Sequence, residues 1–195
     1  MNTMTSKQVT AKSDGVELKA TFHTSKERVV VDFEVTNSGH ASVYLTDVTL
    51  DPKTGGLKPD ALWVDYVAPD TAVLWSHLVK LDPTRTWAHP PSAYVTRVAP
   101  GETYKNTVGA PAPLRVQGVQ PQVGPNGEPN GWLGTVVECA RIRFDLGVIS
   151  DSPELDAQAM TVAGKAMYKL GPAAFRHQKV VSVETHDLPV PLITK

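Results

Sequence analysis

Cysteine is nearly absent from this chain: Cys139 stands alone among 195 residues, which rules out an intrachain disulfide. No stretch approaches the roughly 18 apolar residues a membrane-spanning helix requires. The first dozen residues, Met1 to Lys12, are polar and carry no apolar segment of the kind a secretory leader needs. A cytoplasmic location is therefore expected. An excess of either charge is missing too. Lys and Arg number 19 against 20 Asp and Glu, for a net charge of −1, and the longest basic cluster is Arg176-His177-Gln178-Lys179. A nucleic-acid partner is not expected, because such surfaces carry a basic stripe or excess.

Motifs that carry chemistry are equally scarce. There is no serine nucleophile elbow of the G-x-S-x-G type. Gly55-Gly56 and Gly124-Pro125-Asn126-Gly127 lack the Lys-Ser/Thr and helix start of a phosphate loop. Pairs such as Asp47 with Asp51, or Asp65 with Asp70, lack the dense acidic ladder of a calcium loop. The six histidines form no H-x-H, H-x-x-x-H or H-E-x-x-H pair, so no metal and no cofactor are expected. One enzymatic alternative stays open: a metal-dependent enzyme, or an accessory subunit to one. Its site would be assembled by the fold from His77, His89, His177 and His186, with Asp47 or Asp187. Alternation along Val137 to Arg143 puts Cys139 on one face with Arg141 and Arg143. Nearby cations favour a thiolate, yet no histidine is local to serve as its base. A half-buried strand residue is the expected role.

What the chain does have is alternation. Val16, Leu18, Ala20 and Phe22 are interleaved with polar residues, and Val29, Val31, Phe33 and Val35 repeat the pattern. Period two is the mark of a strand with one buried face. Asn37-Ser38-Gly39 is a turn former, and Val43 to Leu50 resumes as strand, so 29–50 reads as a hairpin. Ala61 to Val67 and Thr71 to Leu81 are strand-like about Ala68-Pro69-Asp70. Tyr94 to Val98 and Glu102 to Val108 suggest a further hairpin about Pro100-Gly101. From Gly134 to Val148, Val136, Ala140, Ile142 and Phe144 are assigned to the core, with Arg141 and Arg143 in water. Val180 to Glu184 and Val190 to Ile193 supply the last strands. Segment 153–166 fits two descriptions. Ser152-Pro153 starts a helix well, whereas Thr161, Val162 and Gly164 oppose one and leave a loop followed by a short strand, Ala166 to Leu170.

The strings Val35 to Tyr44 and Val98 to Tyr104 resemble paired strands of bacterial immunoglobulin-like modules. The resemblance implies architecture only: an all-β, immunoglobulin-like β-sandwich with long loops and at most one short helix. Residues 1–13 are expected to be a flexible N-terminal tail and 14–195 a single domain. A core of Leu18, Phe22, Val31, Phe33, Val35, Val43, Leu45, Ile142 and Phe144 follows. Residues 82–93 must be loop, because Pro83, Pro90 and Pro91 cannot donate to a ladder. Residues 109–132, rich in Pro, Gly, Asn and Gln, read as one long surface loop anchored by Leu114 and Trp132. Aromatic residues on proline-stiffened loops suit recognition. The expected function is a non-enzymatic binding or assembly module. Trp87, His89, Tyr94 and Trp132 would line its contact with a protein partner or a second copy.

Overall fold

The computed structural model describes residues 5–50, 54, 56–58, 62–79, 92–117, 119, 121–123, 125–126 and 129–194. Strands dominate. In chain order they are β1 (Thr5–Ser13), β2 (Val16–Thr24), β3 (Arg28–Asn37), β4 (Val43–Leu45), β5 (Thr49–Leu50) and β6 (Leu57–Lys58). Then come β7 (Trp63–Val67), β8 (Thr71–Ser76), β9 (Ala93–Val98), β10 (Thr103–Pro111), β11 (Leu114–Arg115), β12 (Pro121–Val123) and β13 (Pro129–Trp132). The last four are β14 (Thr135–Ser150), β15 (Gln158–Val162), β16 (Lys165–Leu170) and β17 (Gln178–Thr194), with the single helical turn α1 (Ala174–His177) before β17.

Two sheets face one another in a sandwich-like arrangement. The smaller runs β1-β2-β3-β10, and the larger runs β11-β17-β14-β4-β9-β16-β15, with the β7–β8 hairpin joined to β14 through β8. Leu18, Phe22, Val31, Phe33, Val35, Val43, Leu45, Ile142 and Phe144 are all buried, as expected. The rings of Phe33 and Phe144, one from each sheet, pack at 5.3 Å. Burial of a side chain of this size contributes about 1.5–3 kcal/mol, so the alternating faces of β2, β3 and β14 hold the layers together.

The N-terminal segment is not a tail. Thr5–Ser13 pairs with β2 along its whole length. Its alternation is weak because β1 is an edge strand, on which only Val9 and Ala11 pack against the core. The link to β2 is a two-residue turn, Asp14-Gly15, with both φ positive, the geometry that matches strand twist and that glycine adopts without strain.

Neither expected hairpin of the resembling strings forms. β3 pairs with β2 and β10, whereas β4 pairs with β14 and β9. The chain therefore crosses between sheets at Ser38–Ser42 and crosses back between β9 and β10. A turn signal cannot distinguish a hairpin from an inter-sheet arch. Buried Asn37 ties the two arches together. Its Nδ2 donates to the carbonyls of Ala41 and Val98, at 2.9 and 3.0 Å. Its Oδ1 accepts from Gly39, and its backbone pairs with Gly101 and Glu102.

Four further corrections concern the strands. Val136 is 66% exposed and Ala140 is exposed, although both were assigned to the core. The pairing passes irregularly from Cys139–Val190 to Arg141–His186, and at this bulge Ala140 and Arg141 are both exposed between buried Cys139 and Ile142, which reverses the parity that faces inward. Cys139 thus points into the core while Arg141 points out. In 153–166, a single 3-10 turn at Pro153–Leu155, capped by Ser152, gives way to the β15–β16 hairpin. Its turn, Ala163-Gly164, again has both φ positive, which a helix cannot accommodate. Finally, 109–132 is not one unpaired loop. β10 extends to Pro111, β11 pairs with β17, and β12 pairs with β13. The two separate final strands are likewise one, β17.

A second apolar cluster fixes which part of the larger sheet stays open. Tyr44, Ala93, Val95 and Ile149 lie on its outer side beneath Leu155, Leu170, Ala173 and Ala174. The turns on either side of the β15–β16 hairpin, through Leu155, Ala173 and Ala174, therefore cover the β4–β9 region. The outer surface of β7, β8, β14 and β17 lies beyond that cover.

Candidate functional site

The outer face of β7, β8, β14 and β17, on which Val73 and Thr71 are themselves buried, can be read off the register in rows. Trp63, Trp75, Asp145 and Ser182 form one row across β7, β8, β14 and β17. The next is Asp65, Val73, Arg143 and Glu184, and the third Val67, Thr71, Arg141 and His186. Trp63 and Trp75 stack with centroids 5.7 Å apart and planes 25° apart. His77, two residues beyond Trp75, stacks on it at 4.5 Å. Three rings thus form a continuous ridge. Trp63 is 39% exposed, and Val67 and Val180 on the same face are 45% and 44% exposed.

Charge accompanies the ridge. Asp145, opposite Trp75, is buried, and its Oδ2 accepts from both Nε and Nη2 of Arg143, at 3.2 and 2.9 Å. Its Oδ1 is buried with no partner, a costly state for a carboxylate oxygen. In the third row Arg141 lies 3.4 Å from Asp70 and 3.8 Å from Glu184, which in turn lies 3.6 Å from His186. The face therefore has an aromatic side and a side of paired charges.

Of the four residues expected to form the contact, only Tyr94 and Trp132 are among the described residues, and these two do not come together. Trp87 and His89 lie outside the described residues. Tyr94 is half-buried on β9 opposite Lys169. Trp132 is half-buried on β13, where the Arg115 guanidinium sits 3.6 Å above its ring. Arg115 belongs to β11, and β17, β14 and β4 separate that strand from β9. At the usual strand spacing this is roughly 19 Å, so Tyr94 and Trp132 do not share a contact. The ridge residues were missed although a signal existed. Counting outward from Ala68-Pro69-Asp70 pairs Val67 with Thr71, Asp65 with Val73 and Trp63 with Trp75, which places both indoles on one face.

The described histidines do not converge. His177 lies 3.0 Å from Glu154, His186 contacts Glu184, and His77 stacks on Trp75. Among the described residues no group of three His, Cys, Asp or Glu is placed to hold a metal ion. Cys139 is fully buried, and burial followed by the charge of Asp70 pushes its thiol up to about 11. That is the reverse of the arginine-activated thiolate the alternation suggested.

One hydrogen-bonded chain has the order of an acyl-transfer relay. The Ser6 hydroxyl lies 2.7 Å from His23 Nδ1, and His23 Nε2 lies 2.9 Å from Asp32 Oδ2. Thr107 donates to Asp32 Oδ1 at 2.6 Å. It sits on the outer face of the smaller sheet, beside an open groove of about 600 Å³ lined by Gln8, Lys19, Thr21, Glu34 and Lys105. The Asp32 side chain is 51% exposed, so water screens the charge that such a relay concentrates in a dry site. It is a surface network.

Compared with protein-family models, curated proteins and solved structures, the chain matches none.

Proposed function

We propose that the protein is a non-enzymatic binding module that engages a protein partner through the outer face of its larger sheet. One observation carries the reading: the partly exposed Trp63–Trp75–His77 ridge on the same face as exposed Val67 and Val180. Isolated exposed apolar residues are ordinary, but a group on one face marks a contact surface. Trp and Arg dominate binding energy at protein interfaces, where a buried aromatic centre is ringed by polar groups. The ridge with Arg141, Arg143 and Glu184 around it has that composition. A protein partner fits better than a sugar. Trp75 already stacks on both neighbours, so the rings offer a ridge for a groove rather than a free flat platform. The rows lie within strands rather than loops, which holds them in place before binding and lowers the ordering cost.

A cytoplasmic setting belongs to the same proposal and rests on the lone Cys139. Among the described residues no helix is long and apolar enough to cross a membrane. The test is capture from native extract with the wild type and the Trp63→Ser variant, alongside sedimentation velocity over a range of concentrations. A partner retained by the wild type and lost by the variant is expected. Equal retention by both removes the ridge from the interface. Concentration-dependent dimerisation abolished by Trp63→Ser makes the partner a second copy.

A further inference from the structure

Four polar side chains meet between the sheets, away from the ridge. Asp47, just after β4, has a side chain with no exposed surface. Its Oδ2 accepts from Tyr104 Oη at 2.6 Å and from Asn106 Nδ2 at 3.0 Å, both on β10. Lys165, at the start of β16, places Nζ 3.7 Å from that same oxygen and donates to Tyr104 Oη at 3.0 Å. The other oxygen, Oδ1, is buried with no hydrogen-bond partner among the described residues. An amine, a carboxamide and a buried carboxyl thus gather about one atom, and the amine and amide come from opposite sheets.

We propose that Lys165 and Asn106 condense into an amide that joins the two sheets covalently. Each component has a role given by its contacts. The Lys165 ammonium passes a proton through the Tyr104 hydroxyl to Asp47 Oδ2, along the bonds of 3.0 and 2.6 Å. The freed amine is a nucleophile, and its lone pair adds to Asn106 Cγ. Negative charge develops on Asn106 Oδ1, which already accepts the backbone N–H of Thr107 at 2.9 Å, a donor aimed where the charge appears. Asp47 Oδ2 then gives its proton to Asn106 Nδ2, its hydrogen-bond partner, as the Cγ–Nδ2 bond breaks. The extra proton on the new amide nitrogen leaves with ammonia as ammonium. Atoms and charge balance with no further reactant. Tyr104 suits a conduit because burial and the charge of Asp47 hold its hydroxyl well above the usual phenol range, so it stays protonated between transfers.

The test is the intact mass of the purified protein followed by peptide mapping. The wild type is expected to be lighter than its sequence by one ammonia, with one branched peptide joining Asn106 to Lys165. Mapping is essential because Asn126-Gly127 and Asn130-Gly131 also lose ammonia when they cyclise to succinimides. Lys165→Arg keeps the cation but cannot form the amide, and it and Asn106→Ala should show their full sequence masses. Closing a loop of this length should raise the midpoint of the wild type by about 10 °C over Lys165→Arg. A wild type at full mass after prolonged warming, or an ammonia loss mapped elsewhere, overturns the proposal. Neither result bears on the ridge.

Discussion

The two outer faces of this sandwich are built from the same alternation but differ in what they turn to solvent. On the smaller sheet the outward rows carry Gln8, Thr21, Asp32 and Thr107, then Thr10, Lys19, Glu34 and Lys105. Val30 is the one large apolar side chain across its paired outward positions. Ion pairs such as Lys105–Glu34 at 2.8 Å and Lys12–Glu17 at 2.6 Å satisfy the charges. The larger sheet turns out Trp63, Trp75, Val67 and Val180 beside Arg141 and Arg143. The smaller sheet meets water as a finished surface. The larger leaves apolar area at Trp63, Val67 and Val180 that a partner would remove from solvent.

The most disruptive test removes what both faces share. Phe33→Ala takes away the ring packed on Phe144 and should cost about 3–5 kcal/mol of stability, measured by urea unfolding. A near-neutral result would mean that β3 is out of register and that neither face is placed correctly. Next in size, Trp63→Ala should weaken partner binding by about 2 kcal/mol, roughly thirtyfold in Kd, while stability falls by about half as much. Loss of stability alone would make the ridge packing rather than recognition. Arg143→Ala strips the buried Asp145 of its partner. It should cost about 1–2 kcal/mol, less than a fully buried pair because the Arg143 side chain is a third exposed. Replacing both residues by Leu should recover most of that loss.

Cys139 tests the bulge that decides which side of β14 faces out. Without the bulge it would sit outside with Arg141 and react readily. Buried, with its thiol near 11, it should resist iodoacetamide at neutral pH until the protein unfolds. The folded pKa lies above the unfolded value of 9.0. The unfolded chain therefore loses this proton first, and the contribution is complete below pH 9 and declines as pH rises towards 11. The smallest effect belongs to the other face: Lys105→Ala should leave partner binding and the unfolding midpoint unchanged within error.

The core was legible because alternation from Leu18 to Val35 carries both burial and face. Three kinds of information were not local. The arches at Ser38–Ser42 and after Val98 use the same turn formers as hairpins, and only pairing with β10 and β14 tells them apart. The bulge after Cys139 leaves no mark in composition, yet it inverts Val136 and Ala140. The β1 edge strand hides because only Val9 and Ala11 of its side chains meet the core. For the site, the aromatic residues of the proline-rich loops are the more conspicuous signal. The ridge instead lay in two strands whose register about Pro69 already paired Trp63 with Trp75.

The central claim is that recognition belongs to one face alone. A photo-crosslinking amino acid placed at Val67, on the larger sheet, and separately at Thr21, on the smaller, tests it most directly in native extract. Val67 should yield a discrete crosslinked partner that disappears with Trp63→Ser, and Thr21 should yield none. The same crosslink from Thr21, or from Thr21 only, would contradict the account.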